Sequence, residues 1–397
     1  MNIDKSDGRM MKGALLSSFL LAGFESATGV NCRGELIDQV VATQHDVFLE
    51  EDYKRLKEVG IRAAREAIRW PVVDVKGRYD FSTVRPMLEA AKKQGIDIIY
   101  DLFHFGFPPD VDLLSAGFRG RFADYCHAVA RLIADSVEGP CYFTPINEPS
   151  FFSWAAGEVG LFAPHLKNRG FDLKVSLIGA AIKGIEAIWD ACPRARIVNV
   201  DPFCRVVTSA NPGDEDDTVN RFNSEAVFQG WDMLCGRMLP ELGGTSRHLD
   251  LVGVNYYWTN QWELGNPGVP LSDRDPRRWS LHRLLKTVWE RYGAELILTE
   301  TAHVDEMRPI WFRELIAEVQ AVLADEIPLR GVCLYPILGM PEWHDQTKWT
   351  QMGVWDLVPE GSILKRVPYE PLIESLRDAQ KYFGIENSRP SARRATA

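Results

Sequence analysis

The sequence predicts an α/β chain closed into a single (β/α)8 TIM barrel. Short apolar runs alternate with amphipathic stretches along most of its 397 residues, the mark of repeated parallel βα units. The runs are rich in Val, Ile and Leu without strict alternation, as expected when helices cover one face of a sheet and packed side chains fill the other. Two glutamates, Glu148 and Glu300, end strand-like runs about 150 residues apart, and a barrel of parallel strands gathers such ends on one face.

Candidate strands cover 15–24, 63–68, 97–103, 141–146, 196–200, 249–255, 295–299 and 331–335. The clearest helices are 50–59, 82–94 and 119–136, with apolar residues at three- and four-residue intervals, and Gly60 and Gly95 stop the first two. Loops after the fourth, fifth, sixth and eighth strands are long and carry Trp, Gly and Pro, where a barrel keeps its binding surface. The predicted organisation is an N-terminal extension over 1–12, a catalytic barrel over 13–383 and a disordered C-terminal tail over 384–397, which is poor in apolar residues.

Composition narrows the partners. With 46% hydrophobic residues the chain can bury a large core, and a formal net charge of −10 repels nucleic-acid phosphates and suits a neutral small molecule. The seven cysteines show no Cys-x-x-Cys spacing and read as buried thiols of a reducing, cytoplasmic compartment. Residues 13–23, after Met10-Met11-Lys12, have the basic start and apolar middle of a secretory signal; the same stretch is the only candidate first strand and is read as one. No apolar run reaches the roughly 18 residues of a membrane span. The acidic run 214–217 lacks the interleaved spacing of a calcium loop and reads as solvated. No metal or organic cofactor is expected, since no phosphate-cradling glycine motif follows a strand; an oligomer is left open.

The paired glutamates point to glycoside cleavage, which takes one protonated carboxylic acid on the leaving oxygen and a second carboxylate facing the anomeric carbon. Glu148 is the expected general acid/base and needs a raised pKa. Its neighbour Asn147 offers an amide to a sugar 2-hydroxyl. Glu300 is the expected nucleophile, and a strand-end carboxylate at either position also has the plainer reading of a stabilising ion-pair partner.

Several motifs resemble glycoside hydrolase family 1, the β-glucosidase family, within the clan of eight-stranded barrels whose catalytic acids follow strands four and seven. Asn147-Glu148-Pro149 matches the clan's Asn-Glu-Pro, and Leu102-Phe103-His104 follows strand three. Ala64-Arg65-Glu66-Ala67-Ile68-Arg69-Trp70-Pro71 echoes Tyr-Arg-Phe-Ser-x-x-Trp-Pro. Gly253-Val254-Asn255-Tyr256-Tyr257 echoes Gly-x-Asn-Tyr-Tyr, and Tyr335-Pro-Ile-Leu-Gly-Met-Pro-Glu-Trp343 keeps the spacing of Trp-Ser-Leu-Leu-Asp-Asn-Phe-Glu-Trp. Three motifs depart. Thr-Glu-Asn-Gly becomes Thr299-Glu300-Thr301-Ala302, the last motif starts with Tyr335, and the first strand reads Glu25-Ser26-Ala27-Thr28-Gly29-Val30-Asn31 where the family has a sugar-binding Gln.

The resemblance implies a divergent retaining β-glycoside hydrolase. It implies that Arg65 and Tyr257 hold Glu300 ionised, that Asn255 belongs to the site, and that His104, Glu342 and Trp343 bind sugar hydroxyls; His104 and Trp343 are also at home as core residues. The Glu342 carboxylate argues for an unphosphorylated sugar, although nearby Lys348 keeps a phosphorylated one open. Trp154, Trp258, Trp262 and Trp349 are candidates for the entrance, with one or two of them expected to line it. Glu66 and Arg69 are expected in outer ion pairs. The alternatives are transglycosylation by the same residues and an inactive carbohydrate-binding barrel.

Overall fold

The computed structural model describes residues 15–208, 217–266, 268–272 and 274–383. The expected extension 1–12, the tail 384–397 and residues 214–216 of the acidic run lie outside the described residues. Eight parallel strands close a barrel: β1 (Leu20–Gly23), β2 (Ala63–Ala67), β3 (Asp97–Asp101), β4 (Cys141–Thr144), β5 (Ala195–Pro202), β6 (Leu251–Asn255), β7 (Glu295–Thr301) and β8 (Leu329–Leu334). Each pairs with its neighbours in sequence order, and β1 closes the ring by pairing with β8 and β2. All eight expected strands are present. The first starts later than expected because Ser17 and Ser18 leave the ladder: the Ser17 N–H donates to the Asp97 carboxylate at 2.7 Å, and the Ser18 hydroxyl caps the Leu20 carbonyl at 2.7 Å.

The principal covering helices, one after each strand, are α1 (Leu49–Glu58), α2 (Arg85–Gln94), α3 (Phe118–Ser136), α4 (Gly170–Ala191), α5 (Gln229–Leu234), α6 (Leu281–Tyr292), α7 (Arg308–Ala324) and α8 (Glu370–Tyr382). Gly95 ends α2 at φ 66°, a left-handed conformation glycine adopts without steric cost. The start of α2 falls after the expected residue 82 because the Asp80 side chain accepts the Ser82 N–H at 2.9 Å and holds that segment in a turn. The long connection after β8 is two antiparallel hairpins, Met340–Glu342 with Asp345–Thr350 and Trp355–Glu360 with Ile363–Pro368, where a loop was expected.

Leu21, Ala63, Ile99, Tyr142, Val198, Leu251, Ile297 and Cys333, one from each strand, fill the barrel interior, and a second, larger apolar cluster lies between strands and helices. On the helix side, Glu66 accepts from Tyr53 at 2.6 Å and pairs with His45, and Arg69 donates to Asp38 at 2.6 Å, so both belong to ion pairs outside the barrel. At the β1–β8 seam, the Tyr335 ring lies so close to Gly23 that a Cβ there would meet Tyr335 Cδ2 at 1.9 Å. Gly23→Ala is expected to cost about 1–3 kcal/mol by overpacking, read as a lower urea midpoint, and to displace the Tyr335 ring.

Candidate active site

Glu148 follows β4 at the point where the chain turns into the short helix Pro149–Phe152, with Pro149 fitted to the first helical position. Its backbone is left-handed at φ 46°, a conformation that costs a non-glycine residue on the order of 1–3 kcal/mol. Cross-strand bonds hold it there: the Asn147 N–H donates to the Phe103 carbonyl at 2.9 Å and the Glu148 N–H to the Val200 carbonyl at 3.1 Å. Among the described residues the carboxyl receives one hydrogen bond, from Asn255 Nδ2 to Oε1 at 2.8 Å. The Thr299 hydroxyl donates to Asn255 Oδ1 at 2.6 Å and so fixes which end of that amide faces Glu148.

Burial, and then the neighbouring Glu300 carboxylate, push the Glu148 pKa well above the ordinary carboxyl range, against the Asn255 hydrogen bond that lowers it. Asp201, itself pushed up to about 6 by burial, adds to that rise. Such a group keeps its proton at pH values where exposed carboxyls have lost theirs. If it serves as the acid, glycoside cleavage should fall as pH rises through the Glu148 pKa. Glu148→Gln should remove that alkaline limb from the residual kcat/KM profile of a substrate with an activated leaving group.

Glu300 lies on β7 among residues whose register slips on both sides. Pairing shifts between Val254 and Asn255 on β6 and between Leu298 and Thr301 on the β8 side. The slip changes side-chain alternation. Thr299 bonds Asn255 inside the barrel, Glu300 lines the cavity, and Thr301 accepts from Trp311 Nε1 on the helix side at 3.0 Å. Arg65 Nη1 donates to Glu300 Oε1 at 2.8 Å and the Tyr257 hydroxyl to Oε2 at 2.9 Å. Burial, followed by the Glu300 charge, raises the Tyr257 phenol well above its usual range, so it remains a donor.

Arg65, 1% exposed, is the hub of the site. Besides Glu300 it donates to Asp101 at 2.7 Å, to Asn147 Oδ1 at 3.1 Å and to the Thr299 carbonyl at 3.1 Å, and its guanidinium lies 5.2 Å from the Tyr335 ring centre. Burial opposes its charge, but the Asp101 and Glu300 carboxylates raise its pKa above the ordinary value. Asp101 also binds His104 Nδ1 at 3.0 Å, and His104 Nε2 faces Asn147 Nδ2 at 3.1 Å. Burial disfavours a charged His104, yet Asp101 and then Glu25 and Glu300 raise its pKa.

A cavity of ≈820 Å³ opens over these groups. Glu148, Glu300, Asn147, His104, Tyr257, Glu342 and Trp343 line it together. Arg65 and Asn255, expected to contact the substrate, lie behind the wall, where they hydrogen-bond the two glutamates and do not face the cavity. Glu342 is exposed on the first hairpin, at the rim. Trp154 and Trp262 line the cavity, whereas Trp258 stacks on His303 with ring centres 4.3 Å apart and Trp349 stands exposed on the hairpin. Lys348 pairs with Asp345 at 3.3 Å in solvent, away from the cavity lining.

Sequence reasoning missed Asp101, Asp201 and the part played by Glu25. Asp101 had a signal, since it stands two residues beyond the inward-facing Ile99 on the same strand. Glu25 lines the cavity, and its Oε1 accepts from Trp343 Nε1 at 3.2 Å and from the Ala27 N–H at 3.0 Å. Among the described residues no group of three or more metal-ligating side chains occurs, and no helix is long and apolar enough to cross a membrane.

No family model matches the chain. It is similar to a β-glucosidase of Agrobacterium sp., at 24% identity over 95% of this chain and 94% of the relative. An aryl-phospho-β-D-glucosidase of Bacillus subtilis is 20% identical over 76% of this chain and 79% of the relative. Among solved structures, a β-glucosidase from Thermotoga maritima in complex with castanospermine superposes with a TM-score of 0.74 at 18% identity, over 94% of this chain and 99% of that one. A family 1 β-glucosidase from the same organism gives 0.72 at 17% identity, over 93% and 99%. With the barrel, the strand-end glutamates and a likeness that runs over nearly the whole of a β-glucosidase, the chain is similar to the family 1 β-glucosidases and diverges from them in sequence.

Proposed function

We propose that the protein is a retaining β-glycosidase acting on small, unphosphorylated β-glycosides by double displacement. The observation that carries the reading is the unequal environment of two glutamates in one cavity: Glu148 is buried with a single amide donor, while Glu300 is met by a guanidinium and a phenol. That is how one fold keeps one carboxyl protonated and compensates charge on the other. Glu300 attacks the anomeric carbon as Glu148 protonates the departing oxygen. Water then attacks the glycosyl-enzyme, giving its proton to Glu148 and releasing Glu300. Asn147, held through Oδ1 by Arg65, presents its amide to the 2-hydroxyl.

Phe151, Trp154, Trp262, Met340 and Met352 in the cavity lining favour an apolar aglycone. A second reading, transfer to an acceptor other than water, uses the same residues; one relative, 22% identical over 75% of this chain, is a galactolipid galactosyltransferase of Arabidopsis thaliana. All seven cysteines are free, which supports a reducing, cytoplasmic setting. The test is a panel of 4-nitrophenyl β-glycosides with wild type and Glu148→Ala, the first-formed sugar being followed by NMR. A β-anomer appearing first supports the reading, and an α-anomer overturns retention. Azide should restore turnover to Glu148→Ala and give a β-glycosyl azide; absence of any deficit in that variant removes Glu148 from its role.

A further inference from the structure

We propose that Glu25 selects a glycone bearing an amino group at C3 or C4, so that the preferred substrates are aminodeoxy β-glycosides. The inference rests on the β-glycosidase reading of the cavity and names its substrate class. Glu25 is 5% exposed and lines the cavity. Its Oε1 is occupied by Trp343 and the Ala27 N–H, while among the described residues no donor meets Oε2. A carboxylate oxygen at the cavity wall with no protein partner leaves a strong acceptor site for whatever enters.

Burial raises the Glu25 pKa and the field of His104 offsets that rise in part, so an entering cation would stabilise the carboxylate further. Arg65 is committed to Glu300, Asp101 and Asn147. His104 has Asp101 on Nδ1 and the Asn147 amide on Nε2. Because Arg65 fixes the oxygen end of Asn147, that amide presents an N–H to Nε2, and a second ring proton would face it. Lys174, the other cation in the lining, donates to Gln229 at 2.9 Å and lies in the field of Asp201, beside the Glu148 wall.

Position follows from the order of groups along one wall. Asn147 touches His104, the Glu25 charge acts on His104, and Glu25 touches Trp343. With Asn147 at the 2-hydroxyl, Glu25 comes further round the ring, at C3 or C4. An ammonium there opposes the positive charge that develops at the anomeric centre, and a paired carboxylate offsets that opposition. The same carboxylate repels a phosphate or a uronate.

The experiment compares kcat/KM for 4-nitrophenyl β-D-glucoside with its 2-amino-2-deoxy, 3-amino-3-deoxy and 4-amino-4-deoxy analogues, in wild type and Glu25→Gln. In wild type, the 3- or 4-amino substrate should exceed the parent at least tenfold. The ratio should fall to about one or below in Glu25→Gln. A wild-type preference for the parent or the 2-amino sugar overturns the proposal, as does a ratio unchanged by the substitution. If no glycoside is turned over, the glycosidase reading fails. Calorimetric binding of the free 3- and 4-amino sugars against glucose then decides the role of Glu25 through the same ratio, with equal affinities overturning it.

Discussion

Glu300→Ala is expected to lower turnover of aryl β-glycosides by about 10⁴–10⁶-fold, the scale seen when one member of a catalytic unit is removed. Among the described residues no other carboxylate is addressed by both Arg65 and Tyr257, so no neighbour there inherits its position. The fold should survive, because Asp101 still balances the buried guanidinium at 2.7 Å. Thermal melting near that of wild type, together with lost turnover, would separate chemistry from stability. Azide entering the vacated space should attack the anomeric carbon directly and yield an α-glycosyl azide, opposite in configuration to the product expected from Glu148→Ala. A β-azide from the Glu300 variant would reverse the two assignments.

Arg65→Met should be the most destabilising single change in the site. It leaves Asp101 and Glu300 buried without their shared cation, and breaking a buried pair in this way costs about 3–5 kcal/mol. Adding Asp101→Asn removes one stranded charge, so the double variant should recover part of the loss in a denaturant melt. Activity should not return with it, since Asn147 and Glu300 have both lost the donor that aims them. Recovery of turnover alongside stability would show that Arg65 serves the fold alone.

Much of the architecture was readable in advance because barrel strands carry a local signature. Runs such as 97–103 and 249–255 are mostly apolar, and the glycine after 82–94 marks a stop that Gly95 fulfils. The two glutamates were legible as a candidate pair from chemistry, and the barrel brings both to one cavity. Tertiary geometry was not. The register slip that turns Glu300 inward depends on both neighbouring strands, and nothing in Thr299-Glu300-Thr301 announces it. Of the four entrance candidates, Trp154 and Trp262 reach the cavity; they cannot be told from Trp258 and Trp349 by sequence, because each belongs to an aromatic-rich connection and only packing decides which ring faces inward. Glu25 was visible as a departure, yet its orientation depends on Trp343, more than 300 residues later, which with the Ala27 N–H donates to Oε1.

The Arg65 hub also bears on how such a protein can drift. Among the described residues its hydrogen bonds run to Asp101, Asn147, Thr299 and Glu300, and none runs to the residues that depart from the family motifs, namely Glu25, Thr301, Ala302 and Tyr335. Substitution at Glu25, Thr301 or Ala302 can therefore leave the arginine's bonds in place, so the lining of the mouth and the hold on Glu300 are separable in this chain.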